Sequence, residues 1–279
     1  MVTQHKPTQH SKPDFSFSTE LSRESDDYLE HALRYLQKQQ QENINEIFWS
    51  RLGQKPSFHG AKVLELGCGL GNLSIDMALA GANQVVGLDL TVRDIEIATI
   101  NARRNHPELR DRVEFLAVDL QDYPTGDFDF IVSKDTFEHV LDLEMILAQF
   151  HRLLKPGGKA YVGFGPLWHS PYGFHGNAFG WNFKNRYPWG HLFTSESEFV
   201  KRWNRSTTSQ ISSFADIGLN RVSIVEYKRM LNACDLQVER LQVNRSTEFK
   251  SKVFWMLHHI PILGKYFAHN LYCVLSKDF

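Results

Sequence analysis

The sequence has few cysteines and no long apolar run. Its three cysteines, Cys68, Cys234 and Cys273, are far apart and odd in number, which argues against a disulfide framework and favours reduced, buried thiols. No apolar stretch reaches the ~18 residues that a membrane-spanning helix needs. The first 19 residues are polar and lack the apolar core of a signal peptide. We therefore predict a cytoplasmic protein without stable membrane insertion.

The chain also has almost no net charge. Its formal charge is −1 and its isoelectric point is near 6.9. Because there is no overall basic field to hold a nucleic-acid backbone, we expect no nucleic-acid partner. The hydrophobic share, 42% of 279 residues, is enough for one large α/β domain with a cap.

Strand-like and helix-like segments alternate in the middle of the chain. The strand-like segments are 62–66, 84–89, 113–119, 128–134 and 159–164, and the helix-like segments are 73–80, 92–105 and 143–154. This alternation predicts a doubly wound, mostly parallel α/β sheet. Ligands bind to such sheets beyond the carboxyl ends of the strands.

The rest of the chain is predicted to surround this core. We expect a disordered tail (1–20), an N-terminal helical segment (21–58), the core (59–164), a loop and cap rich in aromatics and histidine (165–221), and a C-terminal part of the core (222–279) with a lid-like insert at 245–269. Strands are predicted at 236–243 and 270–276. Residues 250–267 mix apolar and basic side chains. They either pack against the core, rest on a membrane surface or bind an apolar substrate.

A glycine loop follows the first predicted strand. The residues are Glu65-Leu66-Gly67-Cys68-Gly69-Leu70-Gly71, and glycines there tolerate positive φ and let backbone approach a ligand. A dinucleotide fingerprint would need glycine at position 72, where this chain has Asn72. The E-x-G-x-G-x-G pattern resembles the first motif of class I S-adenosylmethionine (SAM)-dependent methyltransferases. The loop therefore favours SAM over NAD.

Acidic residues at the ends of the next two strands extend this resemblance. Asp89, followed by Leu90, ends the second predicted strand, where a carboxylate can accept both ribose hydroxyls. The resemblance implies that Asp119 accepts a hydrogen bond from the adenine amino group and that the backbone of Leu120 contacts the ring. For either aspartate, a helix cap is the alternative role.

Two more motifs complete the resemblance, which covers residues 62–164. In Phe128–Val140 it implies that Ser133 to Asp135 pass near the methionine part of SAM. The Lys155-Pro156-Gly157-Gly158 turn is typical of the family and makes no ligand contact. The family's Rossmann-like fold implies a seven-stranded sheet with an antiparallel last strand. The predicted SAM-binding residues are Glu65, Gly67, Cys68, Gly69, Gly71, Asp89, Leu90, Asp119, Leu120, Lys134 and Asp135.

The predicted reaction is methyl transfer from SAM, with S-adenosylhomocysteine as product. We predict O-methylation of a small metabolite or natural product, at a hydroxyl or a carboxylate, including a peptide C-terminal carboxylate. N- or C-methylation and a non-catalytic SAM-binding module are the alternatives. A carboxylate acceptor needs no base, whereas a hydroxyl benefits from one.

The loop after the fifth strand supplies the predicted acceptor contacts. His169, His175 and His191 are candidate bases or substrate contacts, and each is otherwise a structural histidine. Further substrate contacts are predicted at His139, Trp168, Tyr172 and Arg202, with packing or a solvated helix face as the alternative. We predict no metal, because acidic residues are scarce between 165 and 195. The oligomeric state is left open.

Overall fold

The computed structural model describes residues 26–124, 126–171, 173–174, 188–206, 210–244 and 249–278. The strands are β1 (Lys62–Leu66), β2 (Gln84–Leu88), β3 (Val113–Leu116), β4 (Phe128–Lys134), β5 (Leu154–Phe164), β6 (Gln237–Val243) and β7 (Leu271–Ser276). The α-helices are α1 (Asp26–Gln41), α2 (Ile44–Leu52), α3 (Asn72–Leu79), α4 (Val92–Asn105), α5 (Leu143–Leu153), α6 (Glu196–Ser206), α7 (Ile224–Ala233) and α8 (Phe249–Leu257). Short 3-10 helices include Gly190–Phe193 and Gly264–Phe267.

The seven strands form one sheet in the order β3-β2-β1-β4-β5-β7-β6. Strands β1 to β5 pair in parallel, and β7 pairs antiparallel with both β5 and β6. This confirms the predicted fold, including the antiparallel last strand. Because β6 runs parallel to β5, the segment between β6 and β7 starts at the same edge as the glycine loop after β1.

Both faces of the sheet are covered, which explains the continuous apolar character of its strands. Neighbouring residues Val63 and Leu64 of β1 are both fully buried, and they belong to different cores. Helices α5 and α7 supply side chains to one core, and α2 and α3 to the other. When parallel strands lie between two helical layers, ligands bind beyond the carboxyl ends of the strands.

Three boundaries differ from the sequence-based expectation. The helix expected over 25–52 is divided in two, because Asn43 adopts a left-handed conformation with φ of 51°. The third strand ends at Leu116, and Asp119 instead begins a short 3-10 helix by accepting a hydrogen bond from the Gln121 N–H. Strand β5 already begins at Leu154. The predicted turn at Lys155–Gly158 is therefore part of this strand.

A small core lies outside the sheet in the predicted cap. Its buried members are Phe174, Phe199, Trp203, Phe214, Ile217 and Leu219, with Trp168 packed against them. The predicted lid contains α8 and the 3-10 helix Gly264–Phe267. None of the described helices is long and apolar enough to cross a membrane.

Candidate functional site

The three glycines after β1 serve different purposes. All have positive φ, at 74°, 49° and 81° for Gly67, Gly69 and Gly71. A Cβ at Gly67 would lie 2.1 Å from the Thr136 Oγ1, and one at Gly71 would lie 2.6 Å from a Phe115 ring carbon. A Cβ at Gly69 would meet nothing within 4 Å. Packing therefore requires the outer two glycines, while Gly69 faces open space that a ligand can enter.

Asp89 holds this loop from the adjacent strand end. Its Oδ2 accepts a hydrogen bond from the Gly69 N–H at 3.0 Å, and its Oδ1 accepts one from the Thr91 N–H at 2.9 Å. Asp89 is only 9% exposed. The helix-cap position of α4 is taken by Thr91, so Asp89 is not the cap. The contact with Gly69 places the Asp89 carboxylate beside the open space of the loop.

Glu65 is a buried carboxylate beneath the same loop. It accepts a hydrogen bond from the Ser74 hydroxyl and is 3% exposed. Burial raises the pKa of Glu65 to about 8, although its Ser74 partner and the Lys134 charge oppose the rise. A carboxylate held so far from water is stabilised in its charged form by any cationic group that binds next to it.

The other predicted cofactor residues are placed around this loop. The carboxylate of Asp119 accepts a hydrogen bond from the Gln121 N–H at 3.1 Å. The side chains of Cys68 and Leu120 are buried, whereas Leu90 is 42% exposed. Among these three residues, only Leu90 has a side chain that is largely accessible to solvent.

Asp135 directly follows β4, at the carboxyl edge of the sheet. It has positive φ, 52°, and its N–H donates to the Gly163 carbonyl at 2.8 Å. The residue is exposed, yet the protein atoms around it raise the pKa of its carboxyl, against the effects of Lys134 and Arg51. A positive φ at a non-glycine residue just beyond a strand end is typical of functional sites.

Several polar groups near Asp135 were missed at the sequence level. The Arg51 guanidinium donates to the Tyr272 hydroxyl at 2.9 Å. Burial lowers the pKa of His269, as does the Arg51 charge, and the His269 Nδ1 lies 3.2 Å from the Ser170 Oγ. Burial raises the pKa of Tyr35 in α1, and the Asp135 charge adds to that rise. No local motif marks these residues.

The N-terminal helices wall the site. The Asn72 side-chain amide at the start of α3 donates to the Gln39 Oε1 of α1 at 3.0 Å. The Tyr28 hydroxyl donates to the Asp94 carboxylate of α4 at 3.0 Å. Helix α1 therefore spans from α4 to the glycine loop, and the candidate cofactor site lies beside it.

His191 and Trp168 belong to the cap core. The His191 Nε2 lies 2.6 Å from the Trp168 carbonyl oxygen, and its ring stacks on Phe174 at 6.1 Å. Burial lowers the pKa of His191. These contacts match the structural alternative for both residues, and their predicted roles toward substrate stay predictions.

The remaining predicted acceptor residues lie in the cap, except His139, which ends a 3-10 helix after β4. Burial lowers the pKa of His169, and its Nδ1 has no hydrogen-bond partner in the described part of the chain. The His139 Nδ1 lies 3.1 Å from the Gly218 carbonyl oxygen, and Arg202 donates to Glu198 at 2.7 Å on an exposed face of α6. His175 and Tyr172 lie outside the described residues.

Over the described ranges, no group of three His, Cys, Asp or Glu side chains could hold a metal ion. The polar groups at the carboxyl edge of the sheet are the glycine loop, the carboxylates around it and the side chains near Asp135.

A family model described as "Methyltransferase domain" matches residues 57–163. Among curated proteins, the ubiquinone biosynthesis O-methyltransferase of Xanthomonas oryzae is 39% identical over 43% of this chain and 49% of its own length. Phosphoethanolamine N-methyltransferase 3 of Arabidopsis thaliana is 38% identical over 41% of this chain and 22% of its own length. The chain thus spans half or less of these relatives.

Solved structures resemble the fold over a larger part of the chain. A putative S-adenosylmethionine-dependent methyltransferase from Listeria monocytogenes has a TM-score of 0.54 and 17% identity, covering 83% of this chain and 98% of that one. A geranyl diphosphate C-methyltransferase from Streptomyces coelicolor has a TM-score of 0.53 and 17% identity, covering 92% and 85%. At these identities the likeness concerns the fold alone.

Proposed function

We propose that this chain, whose residues 57–163 match a methyltransferase domain, transfers a methyl group from SAM to a small-molecule acceptor. The observation that carries the proposal is the open backbone at Gly69, whose N–H is held by Asp89. A loop of this shape lets a bulky ligand approach the backbone closely. The Asp89 carboxylate beside it can accept hydrogen bonds from hydroxyl groups of that ligand.

The residues around the loop suit the chemical groups of SAM. Asp89 would hold the ribose hydroxyls while keeping its bond to the Gly69 N–H. Glu65, buried beneath the loop, offers negative charge to the cationic methionine part. Asp119 and the backbone of Leu120 would contact adenine. The sulfonium of SAM supplies a methyl group that an aligned nucleophile displaces in line.

The polar groups around Asp135 form the proposed acceptor site. They adjoin the cofactor loop through Thr136, whose hydroxyl contacts the Leu66 carbonyl, and they include Tyr35 and Arg51, which interact with the Asp135 charge. Asp135 has a raised pKa and reaches solvent, so it is suited to receive a proton from an acceptor hydroxyl. Arg51 offers a guanidinium to an acceptor carboxylate.

We favour an oxygen acceptor on a small metabolite or natural product. Two curated relatives carry names of O-methyltransferases, the Xanthomonas protein and the 27-O-demethylrifamycin SV methyltransferase of Amycolatopsis mediterranei, which is 32% identical over 45% of this chain and 46% of its own length. The Arabidopsis relative is named an N-methyltransferase. Nitrogen acceptance is therefore the second candidate.

Calorimetry with SAM, S-adenosylhomocysteine and NAD tests the cofactor. We expect micromolar binding of the first two ligands and none of NAD. Incubation with methyl-labelled SAM and pooled small metabolites, followed by NMR of labelled products, then identifies the acceptor atom. Cofactor binding without transfer to any pool would favour the non-catalytic module, and failure to bind SAM or its product would refute the assignment.

A further inference from the structure

The connection between β6 and β7 exposes a cluster of apolar side chains. We define the lid surface as Trp255, Met256, Ile260, Ile262 and Leu263. Their exposed fractions are 53%, 67%, 40%, 89% and 50%. They lie within one compact segment, in which the Gly264 N–H donates back to the Ile260 carbonyl at 2.8 Å. Apolar clusters that stay exposed in a folded domain mark interaction sites.

The inner side of the same segment is firmly packed. Phe267 makes edge contacts with Phe254 at 5.7 Å and with Trp189 at 5.6 Å between ring centroids. The Trp189 indole N–H donates to the Tyr266 carbonyl at 2.9 Å. The inner residues of the segment thus pack against the rest of the protein, which is one of the alternatives expected from the sequence. Its outer residues stay exposed on top of this packed layer.

Backbone conformation at the tip points to a role for the exposed residues. Ile262 has φ of 69°, a left-handed conformation that is a genuine outlier for a β-branched residue. With 89% of its surface exposed, Ile262 gains little packing that would offset the strain. Strain that is retained without packing is typical of segments kept for binding.

Charge within the lid segment itself has one sign. Residues 252–265 contain Lys252, Lys265 and two histidines, with no Asp or Glu. Lys228 of α7 lies close enough to His258 to help lower its pKa, after the larger effect of burial. A rigid apolar tip bordered by lysines matches the interface of an anionic lipid bilayer, where apolar side chains enter the acyl boundary and lysines meet headgroups.

We propose that the lid surface docks this protein onto anionic membranes as a peripheral, non-inserted protein. The lid starts at the carboxyl edge of the sheet, where the candidate site lies. Docking therefore presents that edge toward the lipid. Membrane docking of this kind does not depend on the proposed methyl transfer.

Vesicle sedimentation tests the proposal. The full chain should sediment with phosphatidylcholine vesicles that contain phosphatidylglycerol, less so at high salt, and weakly with phosphatidylcholine alone. Leu263→Ser should reduce the partition coefficient about tenfold, and Lys252→Gln about fivefold. Leu79→Ser is the matched control, since Leu79 is similarly exposed, at 53%, and ends α3 away from the lid. It should bind as the unaltered protein does.

Ile262→Asn separates docking from folding. Asparagine accepts left-handed backbone more readily than isoleucine, so thermal stability should hold or rise while vesicle binding falls about tenfold. Brominated lipids should quench tryptophan fluorescence, and Trp255→Phe should remove most of that quenching. The proposal is overturned if neither vesicle type binds the protein, or if Ile262→Asn and Leu263→Ser bind as before. Concentration-dependent dimers that Leu263→Ser abolishes, without vesicle binding, would instead identify a contact between copies.

Discussion

The Asp89 carboxylate accepts the Gly69 N–H at 3.0 Å, so the end of β2 holds the middle glycine of the loop after β1. The two residues follow neighbouring parallel strands, in which Glu65 of β1 pairs with Gly87 of β2. The bond joins the residue proposed to hold the ribose to the backbone position that a ligand can approach. Changes at either residue should therefore act on the same binding event.

Gly69→Ala should block the cofactor without unfolding the protein. Its Cβ meets no protein atom within 4 Å, so we expect only the left-handed backbone penalty of roughly 1–2 kcal/mol but at least a tenfold loss of SAM affinity. Gly60→Ala is the control, because Gly60 also has positive φ, 73°, and open space at the opposite edge. Calorimetry measures the SAM affinity of both variants, and thermal melts measure their stability. Equal SAM affinity of the two variants would contradict the prediction.

Asp89→Asn should weaken SAM binding about tenfold or more, because the amide replaces a charged acceptor for the ribose hydroxyls. Asp76→Asn provides a matched change on α3, where Asp76 pairs with Lys55 at 3.0 Å. That control should leave the dissociation constant unchanged. Equal affinity of Asp89→Asn and the unaltered protein would remove Asp89 from the cofactor site.

Glu65 should make the ligand-free protein less stable at alkaline pH. Its folded pKa is about 8 against an ordinary 4.5, so the folded state holds an extra proton between those values and the free energy of unfolding falls as pH rises through them. Glu65→Gln should remove this loss, stabilising the ligand-free protein by up to about 5 kcal/mol at pH 9 and less at pH 6, while weakening SAM binding.

Urea denaturation at both pH values measures the effect of Glu65→Gln. The exposed Glu30, which lies near Arg34 on α1, offers the control Glu30→Gln, whose stability should change little at either pH. A Glu65→Gln variant that is less stable than the unaltered protein at pH 9 would show that its carboxylate is charged and satisfied in the folded state.

The two described loop histidines should respond differently to substitution. His191→Gln loses the stack on Phe174 and the bond to the Trp168 carbonyl, so we expect a loss of about 1–2 kcal/mol in stability. His169→Gln should melt close to the unaltered protein. The acceptor identified with labelled SAM then serves as substrate for both variants. When the two variants are folded to the same extent, turnover should fall more for His169→Gln than for His191→Gln. The reverse order would make His191 the residue that serves the reaction.

The residues proposed to bind the cofactor could be picked out from the sequence because their signals are local. The glycine loop, Asp89 and Asp135 each follow a strand and mark its end in the sequence. Because these strands are parallel, their carboxyl ends meet at the same edge of the sheet. The acceptor side could not be anticipated in this way. Arg51 and Tyr272 are separated by 221 positions, and only the placement of α2 against β7 brings them into contact. The role of His191 could not be decided from the sequence, since its aromatic neighbours suit a pocket wall and a cap core equally.

Helix α1 ties two separate parts of the sheet edge together. It bonds to Asp94 of α4 and to Asn72 beside the glycine loop, and it joins α2 through the left-handed Asn43. Under the proposed function, cofactor enters and leaves beside this helix. Substitutions that break either bond are therefore expected to alter the rate of product release more than the affinity for SAM.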